Sequence, residues 1–304
     1  MMSNYHVPVL LHNAVDGLKP EHGGVFADLT LGGAGHTKLI LQRMPKNARL
    51  VVFDKDSDAL NNAPDDARLI RVHGDFKFLK NHLNYAGCIQ VDGILADLGV
   101  SSHQFDASER GFSFRADAPL DMRMNKNAGV DAAELLNKLD LNELAKIFRN
   151  YGELHNAGAF AKAVIKEREA GKMQTTGHLA ALADRLKGKL PLKKYLAMVF
   201  QAVRIAVNQE MEGLEKMLGH ATEVLKPGGR LVVISYHSLE DRLVKNCMRQ
   251  TAPEASVHRT NGNPYFIEIT RKPVVPSAEE MEKNPRARSA KLRIAERTNE
   301  PFRK

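Results

Sequence analysis

Five short stretches put acidic, small or hydroxyl-bearing residues where chemistry can be done. Residues 25–41, VFADLTLGGAGHTKLIL, run from an apolar segment into Gly32-Gly33-Ala34-Gly35 and then straight into a helix-like pattern. VVFDKD ends a second apolar run on Asp54, and HGDF follows a third with Asp75 and Phe76. ADLGVSSHQF follows a fourth with Asp97, Ser101 and Ser102, and SYHSLEDR follows a fifth with Tyr236 and His237. A strand that breaks into glycines before a helix lets a ligand approach the backbone and use the free N–H groups of the first helical turn. The same turn also occurs as a plain tight connection, so the other stretches must decide its use.

Three ligands compete for the glycine turn. A Walker A loop needs GxxxxGK followed by Ser or Thr, which is missing here. A dinucleotide fingerprint needs GxGxxG, but Gly33-Ala34-Gly35 is followed by His36-Thr37-Lys38. The third glycine is missing, which disfavours a buried pyrophosphate. The remaining use is a nucleoside with an amino-acid tail, S-adenosylmethionine, whose carboxylate suits a helix N-terminus. Asp54 stands about 20 residues beyond the glycines, where a carboxylate can accept both ribose hydroxyls. Its plainer role would be a strand-end cap, which Asp56 or Ser57 can equally fill.

Asp75 can bond an adenine amino group and Phe76 can pack on the ring face; equally, Asp75 suits a turn and Phe76 a core. Asp97 comes where a carboxylate would face both a sulfonium and an incoming acceptor. The positive charge of a sulfonium disappears on transfer, so the site must tolerate a cation without gripping it. An acceptor that bonds the N–H of an aryl amine can turn its delocalised lone pair toward the methyl group, and no strong base is then needed. Asp97, a backbone carbonyl, Ser101 or Ser102 can do this, although the serines equally suit helix capping. His237 can touch a base or a phosphate, but a lone histidine at a strand end is more often a satisfied structural residue.

The elements that must position these residues follow from periodicity. Apolar runs at 24–30, 49–56, 67–76 and 91–100 are separated by stretches long enough for helices, the pattern of a parallel sheet buried on both faces. From about Asp106 to Phe200 helical signals replace strands. GFSFRADAPLDMRM, residues 111–124, reads as an ordered loop. Asp140 with Glu143 has capping-box spacing, Asn156 can cap a further helix, and Thr175 or Thr176 another. A helix over 204–225 would carry Leu214, Leu218, Ala221 and Leu225 on one face, and KPGG, 226–229, would stop it. A fifth strand at 230–236, a helix at 238–250 and a closing antiparallel pair at 265–272 and 290–297 complete the pattern.

Composition narrows the partners. The 304 residues are 43% hydrophobic and 26% charged, ordinary for a globular chain with a sizeable core. The net charge is +8, with Lys+Arg 44 against Asp+Glu 36. Residues 107–202 hold 16 basic against 11 acidic side chains and residues 270–304 hold 10 against 5, so the excess sits in the helical segment and the tail. NPRARSAKLR, 284–293, is the densest patch and favours a polyanion over a merely solvated face. Cys88 and Cys247 show no zinc spacing, and no His cluster suggests a metal, so a reducing, cytoplasmic compartment without disulfide or metal is expected. No leader pattern and no apolar run of membrane-spanning length occurs.

These stretches together resemble one family. HVPVLL at 6–11, DLTLGGAGH at 28–36, DGILADLGVSSHQ at 92–104, RGFSFRADAPLDMRM at 110–124, FQAVRIAVNQE at 200–210, PGGRLVVISYHSLEDR at 227–242 and NPRARSAKLRIAER at 284–297 are similar to motifs of the RsmH (MraW) family. That family comprises bacterial methyltransferases of small-subunit ribosomal RNA. The resemblance implies transfer of methyl from S-adenosylmethionine to the exocyclic N4 amine of a cytidine in the decoding region of 16S ribosomal RNA or the small subunit. It implies donor contacts at Ala34, Gly35 and His36 beside Gly33, and at Asp54, Phe76, Asp97 and Gln104, favouring Phe76 over Asp75. Where the family usually reads Gly-Gly-His, this chain has Ala34-Gly35-His36. An alanine is expected there only with φ below zero.

The fold expected is α/β: a Rossmann-like class I methyltransferase sheet with a closing antiparallel strand, interrupted by an all-helical insertion. The sheet would use residues 1–106 and 201–304, and the insertion, 107–200, would recognise substrate. Phe112 or Phe114 can stack on a base and Arg115, Arg123, Arg286 and Arg288 can touch phosphates, after the target base is extruded, although the residues of the 111–124 loop can equally be packing or salt-bridge residues. Two rivals keep the same sheet, a nicotinamide-dependent oxidoreductase and a non-catalytic RNA-binding factor of ribosome assembly. The missing third glycine argues against the first, and Asp54 with Asp97 against the second.

Overall fold

The apolar runs of the first hundred residues form strands of one sheet. The computed structural model describes residues 8–101, 105–171, 173–249 and 263–301. The chain divides into two compact units, one spanning residues 1–99 and 211–304, the other 100–210.

The first unit holds β1 (Val25–Asp28), β2 (Arg49–Asp54), β3 (Leu69–His73), β4 (Val91–Asp97), β5 (Leu225–Ser235), β6 (Phe266–Glu268) and β7 (Lys291–Arg297). Their order is β3-β2-β1-β4-β5-β7-β6. The first five run parallel, and β7 lies antiparallel between β5 and β6. Leu50, Val51, Val52 and Phe53 of β2 are all wholly buried, as a strand covered on both faces requires. Val51 and Phe53 share one core with Leu214, Leu218 and Ala221, while Leu50 and Val52 share another with Val15, Leu18 and Ile40.

Strand order reverses at β1, which has β2 on one side and β4 on the other. In such sheets ligands bind beyond the carboxyl ends at that reversal. Asp28 ends β1 in register with Val52 of β2 and Leu95 of β4. Asp54 and Asp97 therefore each stand two residues further along, one on either side of Asp28.

Two local expectations change. The helix ends at Val224, just ahead of KPGG as expected, but KPGG lies within β5 and not before it. Val91 pairs with Leu225 and Gly93 with Arg230, so residues 226–229 are looped out of the ladder as a bulge. The helix expected over 204–225 is two helices, Leu192–Asn208 and Glu210–Val224, parted at Gln209 with φ 51°. Leu214, Leu218 and Ala221 do face the core, and Leu225 begins β5.

The second unit is built from the helices Ala132–Lys138, Leu141–Asn150, Ala157–Glu169, Thr176–Leu186 and Leu192–Asn208. Asp140 accepts from the N–H groups of Asn142 and Glu143, and Glu143 returns a bond to the Asp140 N–H, closing the expected box. Thr175 accepts from the His178 N–H. Asn156 makes no cap bond. Its side chain instead donates to the Leu186 carbonyl and accepts from the Tyr195 hydroxyl, both at 2.9 Å. Tyr195 is buried beside Phe160, so its O–H needs a partner, and Asn156 supplies it.

The unit boundaries fall away from the expected cuts at 106/107 and 200/201. Val199, Phe200, Ala202 and Val203 lie along one continuous helix and all pack into the helical core, so a break after Phe200 would split that core. Val100 packs into the same core.

Candidate active site

The glycine turn is tied to β2 by main-chain bonds. Leu31 N–H donates to the Phe53 carbonyl at 2.9 Å, and Gly32 N–H donates to Oδ2 of Asp54 at 2.9 Å. Asn62 holds the other side of the turn, donating to the Gly32 carbonyl at 2.7 Å. Ala34 corrects the expectation for its backbone: φ is 61° and ψ 21°, in the left-handed region. That conformation costs a Cβ-bearing residue roughly 1–2 kcal/mol. The Ala34 methyl is wholly buried, which returns about 0.8 kcal/mol. Gly35, beside it, has no such freedom, because a Cβ there would fall 2.0 Å from Cγ of Pro8. Gly33 is half-buried within the turn. The helix Gly35–Arg43 starts at Ala34 with no side-chain cap bond, since alanine has no polar group to give.

Three carboxylates follow the strand ends. Asp28 is buried, accepting from the Thr37 hydroxyl at 2.6 Å and from the Thr30 N–H at 3.2 Å. Burial raises its pKa above the ordinary value, against the opposing pull of Thr37, His36 and Thr30. Asp28 is absent from the sequence expectations, although an acid closing an apolar run immediately before a glycine turn is itself a signal. Asp54 accepts from Gly32 at one oxygen and from the Asp56 N–H, at 2.9 Å, at the other. A carboxylate offers about four lone-pair sites, so each oxygen keeps one for a further donor. Burial pushes Asp54 up to about 6, against the bonds from Asp56 and Gly32.

Asp97 accepts from the Tyr236 hydroxyl at 2.8 Å through Oδ1, and Nδ1 of His36 stands 3.8 Å from Oδ2. Its main-chain N–H donates to Oγ1 of Thr30 at 2.7 Å. His36 is buried, with Nε2 3.1 Å from the Val9 carbonyl. Burial and the neighbouring Asp97 charge raise the Tyr236 phenol well above its usual pKa, so it stays protonated and donates.

The remaining expected residues separate by what already holds them. Asp75 caps the short helix Phe76–Phe78 through the Lys77 N–H and lies 3.6 Å from the Lys55 ammonium, while the half-buried Phe76 packs against the core of the first unit. His237 is the N-cap of the helix Ser238–Met248: its Nδ1 accepts from the Glu240 N–H, and Glu240 bonds back to the N–H groups of Tyr236 and His237. That is the structural duty that a lone histidine at a strand end more often has. Ser101 accepts from the Phe105 N–H through its carbonyl, while Ser102 and Gln104 lie outside the described residues.

Phe112 is 4% exposed and packed among Leu120, Met122 and Phe200, so it is core in place of the stacking surface expected. Phe114 is half-buried, edge-on to Phe200 at 5.3 Å. Arg123 makes a bidentate pair with Asp121 at 2.8 and 2.9 Å and is not a free phosphate ligand. Arg115, Arg286 and Arg288 are exposed. Among the described residues no helix is long and apolar enough to cross a membrane.

Two outcomes are expected of the glycine turn and its acid. For Ala34→Gly, the relieved strain is offset by the lost methyl burial and the added chain entropy, so unfolding free energy should change by less than about 1 kcal/mol. Ala34→Val, with a β-branched residue at positive φ, should cost upwards of roughly 2 kcal/mol. Equal effects in denaturant titrations would contradict the conformation described. In a carboxyl-carbon NMR titration, Asp54 should have its midpoint at about 6. Because its folded pKa lies above the unfolded one, its contribution to stability is largest at low pH and is lost as pH rises through about 6. An ordinary midpoint near 4 would refute the buried setting.

Comparison with known proteins gives this site a family. The model of the MraW methylase family matches residues 3–298. A ribosomal RNA small subunit methyltransferase H from Bacteroides thetaiotaomicron is 51% identical over 296 residues, 96% of this chain and 97% of its own. Proteins of the same name from Phocaeicola vulgatus and Flavobacterium johnsoniae are 51% and 48% identical, each over 96% of this chain and 97% and 98% of their own. With a glycine turn and three strand-end carboxylates on a seven-stranded sheet of this order, the chain belongs to the MraW methylase family.

Proposed function

We propose that this protein transfers a methyl group from S-adenosylmethionine to the exocyclic N4 amine of a cytidine in the decoding region of 16S ribosomal RNA. The observation that carries the reading is near-full-length identity of about half to relatives named as small-subunit ribosomal RNA methyltransferases, on a chain that carries Asp54 and Asp97 at the ends of β2 and β4, the strands on either side of β1. The cytoplasm, where ribosomal RNA is made and folded in bacteria, is the corresponding compartment.

The residues fit the donor. Asp54 has one lone pair on each oxygen for the ribose hydroxyls, and its ionised form is the better acceptor at neutral pH. Gly33, Ala34 and Gly35 leave the start of the helix Gly35–Arg43 without a side-chain cap, suiting a carboxylate there. Phe76 offers an apolar face for a base. When bound, the donor supplies an electrophilic methyl on a positively charged sulfur.

Asp97 accepts a hydrogen bond from the N4 amine and so turns the amine lone pair toward the methyl carbon. The N4–C bond forms as the C–S bond breaks, and the proton released from N4 leaves through Asp97 to water. The ionised Asp97 also offsets the positive charge that passes from sulfur to nitrogen. We assign substrate RNA to the helical unit, with Phe114 and Arg115, and to the exposed Arg286 and Arg288 of the tail.

The test is methyl incorporation from labelled S-adenosylmethionine into small ribosomal subunits and into free 16S RNA, followed by nucleoside mass spectrometry. N4-methylcytidine is expected. Asp97→Ala should lower the rate on the order of 100-fold while donor affinity changes only a few-fold. Label on another base, none at all, or full activity in Asp97→Ala would contradict the proposal.

A further inference from the structure

Asp97 is held far more firmly than an acid at the end of a strand needs to be. The last torsion of an aspartate side chain is broad and roughly two-fold, so an isolated carboxylate would sample many orientations. Here the main chain is fixed by the bond from its N–H to Thr30, and Oδ1 takes the Tyr236 hydroxyl at 2.8 Å. The phenol is itself fixed. The Tyr236 N–H donates to Oε2 of the buried Glu240 at 2.8 Å, in the box that starts the helix Ser238–Met248. Its ring lies over Gly99, where φ is 103° and a Cβ would stand 3.5 Å from Cδ2. On the other oxygen, the His36 ring is pinned by the Val9 carbonyl.

Resting on the function proposed above, we infer that Tyr236 is a positioning residue for methyl transfer, its hydroxyl holding the Asp97 carboxylate in the one orientation that receives the acceptor amine. The helix cap formed by His237 and Glu240 then has a role beyond the helix: it fixes the strand-end backbone from which Tyr236 reaches Asp97. Tyr236 touches neither the reacting atoms nor the donor in this scheme. Its effect passes through Asp97, and a small misplacement of a reacting group is enough to slow a transfer reaction.

Tyr236→Phe keeps the ring over Gly99 and removes only the hydroxyl. The expected result is a kcat lower by about tenfold, with KM for donor and for RNA within about twofold of the parent. Its melting temperature should stay close to the parent's, and Tyr236→Leu, which removes the ring as well, should lower it. In the free protein, followed by carboxyl-carbon NMR, the Asp97 midpoint should rise by about half a pH unit or more in Tyr236→Phe, because a donor to the charged form is lost. An unmoved Asp97 midpoint would show that the hydroxyl does not hold the carboxylate. A moved midpoint with unchanged kcat would show that holding it does not matter to transfer. A parent protein that transfers no methyl would condemn the functional reading itself, while the Asp97 titration would still decide whether the grip exists.

Discussion

A hydrogen bond from the Gly32 main-chain N–H to the Asp54 carboxylate joins the two halves of the candidate donor site, beside the Leu31 N–H bond to the Phe53 carbonyl. It ties the turn after β1 to the end of β2, so the position of the first glycines and the orientation of the acid are one constraint. The bond exists because β1 and β2 are parallel neighbours in fixed register, which places the end of β2 two residues beyond Asp28. Register in turn is enforced by burial on both faces: a slip of one residue would exchange Val51 and Phe53 with Leu50 and Val52 between two separate cores.

Electrostatics sets the second constraint. Asp28, Asp54 and Asp97 crowd one end of the sheet, and three unmet carboxylates there would repel one another. Each is met differently. Asp28 is buried and spent on Thr37 and Thr30, a structural clasp between β1 and the helix Gly35–Arg43. Asp54 keeps lone pairs in reserve but has its pKa lifted by burial. Asp97 is bonded to a phenol that stays protonated. A cationic sulfur entering this end of the sheet would meet net negative charge without a tight ion pair, the setting that favours loss of its charge in the transition state.

Much of this was legible in the residues. The strands around the site are continuous apolar runs, and the acids that end them stand out against that background. The closing antiparallel pair was legible for the same reason, since Leu292, Ile294 and Ala295 are apolar and buried. What escaped depends on contacts distant in sequence. Ala34 adopts a left-handed backbone whose strain burial of its methyl only partly offsets, which no local rule reveals. Phe112 and Arg123, in a polar-looking loop, were spent on the helical core and on Asp121. Asn156 stands at a helix start yet serves Tyr195, a partner 39 residues away. KPGG has the chemistry of a turn, but pairing on either side of it, at Leu225 and Arg230, keeps the chain within the sheet. The RsmH-like motifs carried the family directly, because several are long and unusual.

The central claim is that a nucleoside sulfonium lies across the carboxyl ends of β1, β2 and β4, with its sugar on Asp54 and its amino-acid end in the glycine turn. A crystal structure with S-adenosylhomocysteine tests this most directly. It should show both ribose hydroxyls within hydrogen-bond distance of the Asp54 oxygens and the ligand carboxylate against the N–H groups of Gly33, Gly35 or His36, since that of Ala34 is bonded to the Leu31 carbonyl. A ribose held by any other side chain, with Asp54 still bonded only to Gly32 and Asp56, would contradict the account.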